Sequence, residues 1–272
     1  LFNQRIEVKT PDEVHAMRAA GLVVARTLAL LRDAVRPGVR TGDLDALAEQ
    51  TIREQGAVPS FLGYGVPPFP ASICASVNDE VVHGIPGARE LAEGDVISID
   101  CGAIVDGWHG DAAITVPVGE IPPDVSELLR VTEESLWRGL AAARVGGRVG
   151  DISHAVQSWV ESQGEYGITD GYTGHGIGSQ MHMDPDVPNS GRPGRGPRLK
   201  EGMALAVEPM ITLGTDDSRI AADEWTVVTT DGSWAAHFEH TFALTERGVW
   251  VLTAEDGGRE RLEALGVAFG GP

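Results

Sequence analysis

The spacing of apolar and polar residues divides the chain into helices and strands. An amphipathic pattern begins at Thr10-Pro11-Asp12-Glu13 and runs to about Ala34. Its start is a capping box: the Thr10 hydroxyl can accept a free N–H of the first turn, Pro11 suits the first helical position, and Glu13 can reach back. A second helical pattern, LDALAEQTIREQ, follows GVRTGD and stops at Gly56, the residue type that most readily takes the left-handed conformation closing a helix. The run DVISIDCGAIVDGWHGDAAITVPVG then reads as two strands joined around Asp106-Gly107, a strong hairpin signal. Further helices are predicted over about 123–144 and 151–163. The stretch EWTVVTTDGSWAAHFEHTFALT predicts a second hairpin, around Asp231-Gly232, that carries Glu239 onto a strand. NSGRPGRGPRLK lacks the strand-to-helix context of a phosphate cradle and reads as an exposed loop.

The pattern repeats. Gly38, Arg40, Gly42, Asp43, Gln55 and Gly56 recur 108 residues later as Gly146, Arg148, Gly150, Asp151, Gln163 and Gly164. The same offset takes Leu91, Glu93 and Gly94 to Leu199, Glu201 and Gly202, and Asp100 in EGDVISID to Glu208 in EGMALAVE. One ungapped offset serving both a helix and a strand implies two related halves, about 10–118 and 119–253, within a single domain spanning 1–272. Their strands are expected to join in one sheet with helices outside, and a cleft lined by both halves is the expected binding site.

Composition narrows the function classes. A chain of 272 residues, 42% apolar, can bury a sizeable core. Its 21 basic against 40 acidic residues give a net charge of −19, which argues against nucleic acid or an anionic membrane as partner. Cys74 and Cys101 make neither a disulfide framework nor a Cys-rich zinc site and fit a reduced setting. The N-terminal stretch has no apolar core of signal-peptide length, and GLVVARTLALL is short and carries Arg26. A soluble, cytoplasmic protein is expected.

Asp100, Asp111, Glu208 and Glu239 lie within or beside apolar strand patterns, where an ionised carboxylate is costly unless paired or metal-bound. An ordinary ion pair explains any one of them as well; four in a duplicated setting point to metal. GYTGHGIGSQMHMDP adds His175 between two glycines and His182 seven residues on. Oxygen-rich sites holding one imidazole suit Mn, Fe, Co or Zn. Two divalent cations neutralise four carboxylates, so a two-metal centre is the economical reading. Ions about 3.5–4 Å apart share bridging carboxylates and generate hydroxide from bound water near neutral pH. The reaction class is metal-assisted hydrolysis.

SICASVNDEVVHGIP, SIDCGAIVDGWHGDAA, GYTGHGIGSQMHMDP, EGMALAVEPM and HFEHT together resemble, in order, the motifs of type I methionine aminopeptidases, from about Ile6 to Thr253. The resemblance implies the α/β (α+β) pita-bread fold, with pseudo-twofold duplicated halves, a central curved antiparallel sheet and outer helices. It implies Asp100 as a chelating ligand of one metal, Asp111 and Glu239 as bridges, and His175 and Glu208 as ligands of the other. His83 resembles the histidine that contacts substrate near the scissile amide, and His182 the one that hydrogen-bonds the scissile carbonyl and its oxyanion, a differential effect that raises rate. Glu208 matches the residue that shuttles a proton to the leaving amine. The implied activity is attack of a metal-bridged hydroxide on the scissile carbonyl, removing initiator methionine from nascent proteins and peptides with a small second residue. Gly174 and Gly176 are expected to keep side chains away from metal and substrate.

By the same correspondence, Tyr64, Phe69, Cys74, His83, Met181, His182 and Trp225 line the substrate pocket. Met181 stands where many relatives have phenylalanine, Gly65 where some bacterial members have histidine, and GVPPFP is slightly longer than usual. His15 and His154 fall on helices as surface or core residues. His109, His237 and His240 are candidates only for support around the centre. Cys101 reads as a buried strand residue, and no base partner favours a thiol protease. A prolidase or Xaa-Pro aminopeptidase shares fold and ligands but usually carries a sizeable N-terminal domain, for which the sequence before residue 96 leaves no room. A non-catalytic binding module of this fold would have lost ligands, and all five are present. The expected partners are N-terminal Met peptides and nascent chains, with any ribosome contact made by the domain's own surface and the protein a monomer.

Overall fold

The capping box at Thr10 is formed. The Thr10 hydroxyl accepts the Glu13 N–H at 3.3 Å, and the Glu13 carboxylate accepts the Thr10 N–H at 2.8 Å. In the computed structural model, which describes residues 6–272, this cap starts α1 (Pro11–Ala34). α2 (Thr41–Glu54), α3 (Pro123–Ala142) and α4 (Val149–Gln163) follow the predicted spans closely, and a short α5 (Arg259–Ala264) comes near the end. The strands are β1 (Val58–Pro59), β2 (Ile73–Val77), β3 (Glu80–Val82), β4 (Val96–Val105), β5 (Trp108–Pro117), β6 (Gly167–Ile168), β7 (Thr173–Gly176), β8 (Met183–Pro188), β9 (Ala204–Val207), β10 (Met210–Thr212), β11 (Ser218–Ile220), β12 (Val227–Thr229), β13 (Ala235–His237), β14 (Glu239–Thr245) and β15 (Gly248–Val251).

Nine strands form one antiparallel sheet in the order β1-β4-β5-β14-β9-β7-β8, with β2 also on β4 and β15 on β14. Helices cover it: α1 packs on β4 and β5, burying Met17, Val24, Leu28 and Leu31. Among the described residues α1 is the one helix long and apolar enough to cross a membrane, and half of that stretch is buried within the fold.

The duplication is written in backbone hydrogen bonds. Gly38 donates to Leu91 and Gly146 to Leu199; Thr41 donates to Arg89 and Val149 to Pro197; Gly42 donates to Gly87 and Gly150 to Arg195. Donors and acceptors alike are displaced by the offset seen in the sequence. The helix that follows is capped alike in both halves, the Asp43 carboxylate accepting from Arg40 N–H and that of Asp151 from Arg148 N–H. α1, α2, β4 and β5 therefore correspond to α3, α4, β9 and β14, and β5 meets β14 at the sheet centre.

Two expectations are corrected. The strands do not all join one sheet, because β13-β10-β6 and β11-β12-β3 form two further three-stranded sheets. The stretch around Asp231-Gly232 is a turn without a hairpin: β12 pairs with β11 and β3, whereas β13 pairs with β10. Asp231 holds the turn by accepting from Ser233 and Thr215 N–H groups, but the arms then find other partners. Thr229 N–H bonds to the Asp79 carbonyl and Ala235 N–H to that of Asn78. Alternating apolar residues require a sheet neighbour, and the sequence does not say which.

Candidate metal centre and substrate cavity

Strand register brings the acids to one face. On β5, Ala113 is flanked by Asp100 of β4 on one side and Glu239 of β14 on the other. Residues directly opposite in antiparallel strands share a face, as do residues two apart on one strand, so Asp100, Asp111 and Glu239 converge there. Glu208 arrives from the second half, one residue past Val207, the β9 partner of His240. Ala113 between the acids contributes only a methyl group and leaves space above the sheet. The Thr241 hydroxyl ties β14 to β5, donating to the Asp111 carbonyl at 2.8 Å and accepting the Asp111 N–H at 3.2 Å.

The donor chemistry and geometry fit divalent metal. Ligand atoms of Asp111, His175 and Glu239 lie within 4.8 Å of one another, as do those of Glu208, His237 and Glu239. Asp111 and Glu239 are buried, and Asp100 Oδ1, Asp111 Oδ1 and Glu239 Oε1 have no hydrogen-bond partner. Burial raises the Asp100 pKa to about 7. It drives those of Asp111, Glu208 and Glu239 well above the carboxylate range, with the neighbouring acids adding to the rise. Unpaired, such a cluster must take up protons; a bound cation supplies the missing charge instead. Burial lowers the His175 pKa to about 3, leaving a neutral imidazole with a lone pair to give.

The glycines beside His175 have a different reason from the one expected. A side chain at Gly174 would collide with the Ala206 carbonyl of β9, and one at Gly176 with the Asp184 carbonyl. They let neighbouring backbone approach the histidine strand rather than clear a substrate path. The His175 ring is oriented by its Nδ1 contact with the Gly176 carbonyl, at 2.9 Å. The following turn is strapped from outside by Lys9, whose buried ammonium donates to the Ile177 carbonyl at 2.5 Å and pairs with Glu7 at 3.2 Å, while Glu7 accepts from Ser179. Neither residue was singled out in the sequence, where nothing local marks a lysine that becomes buried against a turn so distant in the chain.

Beside the acids lies a cavity of about 120 Å³ lined by Phe61, Tyr64, Phe69, Cys74, His83, Met181, His182 and Trp225 together with Asp100, Asp111, His175, Glu208 and Glu239. Every site residue expected from the sequence is thus brought to one place, and Phe61 is the addition. It stands in a short irregular segment whose spacing gives no facing rule. His182 stacks edge-on against His175, ring centroids 4.3 Å apart, and its Nδ1 lies 2.7 Å from the Tyr64 hydroxyl. His83 sits at φ 60°, a left-handed backbone rare outside glycine, and burial lowers its pKa to about 4. Both cysteines are free and buried, with pKa values pushed up by burial, as expected of inert thiols.

The supporting histidines divide. His109 contacts the Ser60 hydroxyl at 3.1 Å, and His240 turns away from the centre to Thr253 and Trp137. His237 reaches the centre, with Nε2 3.8 Å from Glu208 Oε2.

This acid-rich centre within two sheet-and-helix halves matches metallopeptidase family M24, whose profile covers residues 15–246. The chain belongs to that family. It is 53% identical over 249 residues to the methionine aminopeptidase of Clostridium acetobutylicum, an alignment covering 91% of this chain and 98% of that one. It is 52% identical to methionine aminopeptidase 1 of Bacillus subtilis, over 90% of this chain and 98% of the relative. The crystal structure of the Thermotoga maritima methionine aminopeptidase superposes with a TM-score of 0.90 at 42% identity, covering 92% of this chain and all of that one. Pyrococcus furiosus prolidase shares the fold, with a TM-score of 0.74 at 21% identity, but the match spans only 65% of its length.

Proposed function

We propose that the chain removes N-terminal methionine from peptides and nascent proteins whose second residue is small, as a cytoplasmic monomer working on chains emerging from the ribosome. The observation that carries this reading is the junction of an apolar cavity, walled by Phe61, Phe69, Cys74, Met181 and Trp225, with a neutral-imidazole and carboxylate centre. Such a cavity suits one unbranched apolar side chain, with the amide that follows it beside the centre.

Asp100, Asp111, His175, Glu208 and Glu239 would hold two divalent ions, Mn, Fe, Co or Zn. When bound, the ions neutralise the acids, polarise the scissile carbonyl and activate a water for attack. The residues supply the rest. The Tyr64 hydroxyl lies 2.7 Å from His182 Nδ1; with its O–H donating a hydrogen bond there, the ring's own proton would sit on Nε2 as a donor for the carbonyl oxygen as negative charge develops there. His83, neutral and held in the cavity by its backbone conformation, donates near the scissile amide. Glu208 takes the proton of the attacking water at its cavity-facing oxygen and delivers it to the departing amine. The burial that disfavours carboxylate charge keeps bulk water from competing for these donors.

Metal-loaded protein given Met-Ala-Ser and Ala-Pro-Ala tests the reading: cleavage of the first is expected. Cleavage of the second alone would move the protein to the prolidase-like activities. Failure on both under anaerobic Fe(II), Mn and Co would favour a binding module.

A further inference from the structure

One orphaned polar atom at the centre belongs to a residue outside the expected ligand set. His237 is 1% exposed, and its Nε2 has no hydrogen-bond partner. That nitrogen lies 3.8 Å from Glu208 Oε2, while His175 Nε2 lies 3.5 Å from Glu208 Oε1. The carboxylate is therefore held between two imidazoles, one at each oxygen. The His237 backbone is clamped to the first half: its N–H donates to Thr115 Oγ1 at 2.9 Å, and its carbonyl accepts from the same hydroxyl at 2.7 Å. A further contact of 2.8 Å joins Thr115 to Ser98. The ring is thus presented by β13 and anchored to β5, whereas Glu208 belongs to the end of β9.

A carboxylate that ligates an ion through one oxygen leaves the other needing a donor in an interior without water, and ligating carboxylates are generally hydrogen-bonded in this way. An imidazole that finds no acceptor is equally costly. We propose that His237 is a positioning residue for Glu208, its Nε2–H donating to Oε2 once metal is bound and fixing Oε1 toward His175 and the cavity. The contact lies within the second half, and the backbone clamp to Thr115 ties its imidazole side to β5 of the first half. The catalytic consequence rests on the aminopeptidase reading; the contact itself does not.

The test compares His237→Ala with His237→Gln, whose amide N–H reaches a similar distance. Three quantities are read: kcat and KM on Met-Ala-Ser, Mn(II) affinity by calorimetry, and the imidazole count per Co(II) by X-ray absorption. His237→Ala is expected to lower kcat or metal affinity by about 10–100-fold with KM and imidazole count unchanged, and His237→Gln to restore most of the loss. A lower imidazole count in His237→Ala would make His237 a ligand, and a Gln variant that melts as wild type yet is as impaired as Ala would show that a donor to Glu208 is not what the residue supplies; either result overturns the positioning role. Unchanged kcat and affinity in His237→Ala would remove any role. Wild-type protein that binds metal but leaves Met-Ala-Ser intact would sink the aminopeptidase reading alone, since affinity and absorption still decide the contact.

Discussion

The two halves of the chain use one scaffold for different ends. In the first, β4 turns into β5 through Asp106-Gly107, and this uninterrupted hairpin carries Asp100 and Asp111. In the second, the corresponding β9 and β14 are separated by β10 to β13, and this insertion brings Trp225 to the cavity and His237 to the centre. The offset that relates Asp100 to Glu208 also relates Cys74 to His182, both of which line the cavity. One half contributes an apolar wall where the other contributes a hydrogen-bond donor. Duplication fixed a place above the sheet where strands of both halves aim carboxylates, and divergence around it gave the equivalent cavity positions different chemistry, a thiol at Cys74 and an imidazole at His182.

The largest break in that comparison should come from Asp111→Asn, on the hairpin half. Loss of a carboxylate shared at the sheet centre is expected to cost well over about 100-fold in activity, beyond the range of outer contacts, and to lower metal stoichiometry by elemental analysis. Full activity would show that Asp111 bridges nothing. His182→Ala, on the divergent half, should reduce kcat by about 100–1000-fold with metal content unchanged; loss of metal would put His182 among the ligands.

Removing metal sharpens the contrast between charge and scaffold. The acids have folded pKa values raised above their ordinary ones by burial, to about 7 for Asp100. The stability this allows is complete below their unfolded pKa, near about 4, and is lost as pH rises through the folded values. Chelator-stripped protein should therefore melt at progressively lower temperature from about pH 5 to about pH 8, and added Mn(II) should recover more at the higher pH. A melting temperature that is flat with pH in the stripped protein would mean that the acids are paired without metal.

The smallest effects should appear in the scaffold itself. A Cβ on Gly42 would lie 2.9 Å from the Gly87 carbonyl oxygen, and one on Gly150 closer still to that of Arg192. Gly42→Ala and Gly150→Ala are each expected to cost about 1–3 kcal/mol in urea melts, the second more than the first. The reverse order would mean that the second half gives way more easily than its counterpart.

Much of the centre was legible because its residues sit where local pattern has few meanings. An acid inside an apolar strand, a histidine between glycines and a carboxylate repeated at a fixed offset each demand an explanation that pairing, metal or duplication supplies. His237, Phe61 and Lys9 were less legible for the opposite reason. Each gains its place by contact with a distant segment, His237 with Thr115, Phe61 with the cavity wall and Lys9 with Ile177. Phe61 and Lys9 have no neighbour in sequence that announces them, and the nearness of His237 to Glu239 marks it only as a candidate for support. The false hairpin at Asp231-Gly232 has the same origin, since turn chemistry is local but strand pairing is not.

The sequence by itself determined the helices and their caps, the repeat and the acids and histidines with metal-binding chemistry, because periodicity, capping and the cost of a lone charge act over short distances along the chain. Tertiary structure alone decided that Ala113 lies between Asp100 and Glu239, that Glu208 faces two imidazoles, and that neighbouring carbonyls require the glycines at 174 and 176. Those facts depend on strand register and close packing between segments far apart in the chain, and register is set by the whole sheet at once.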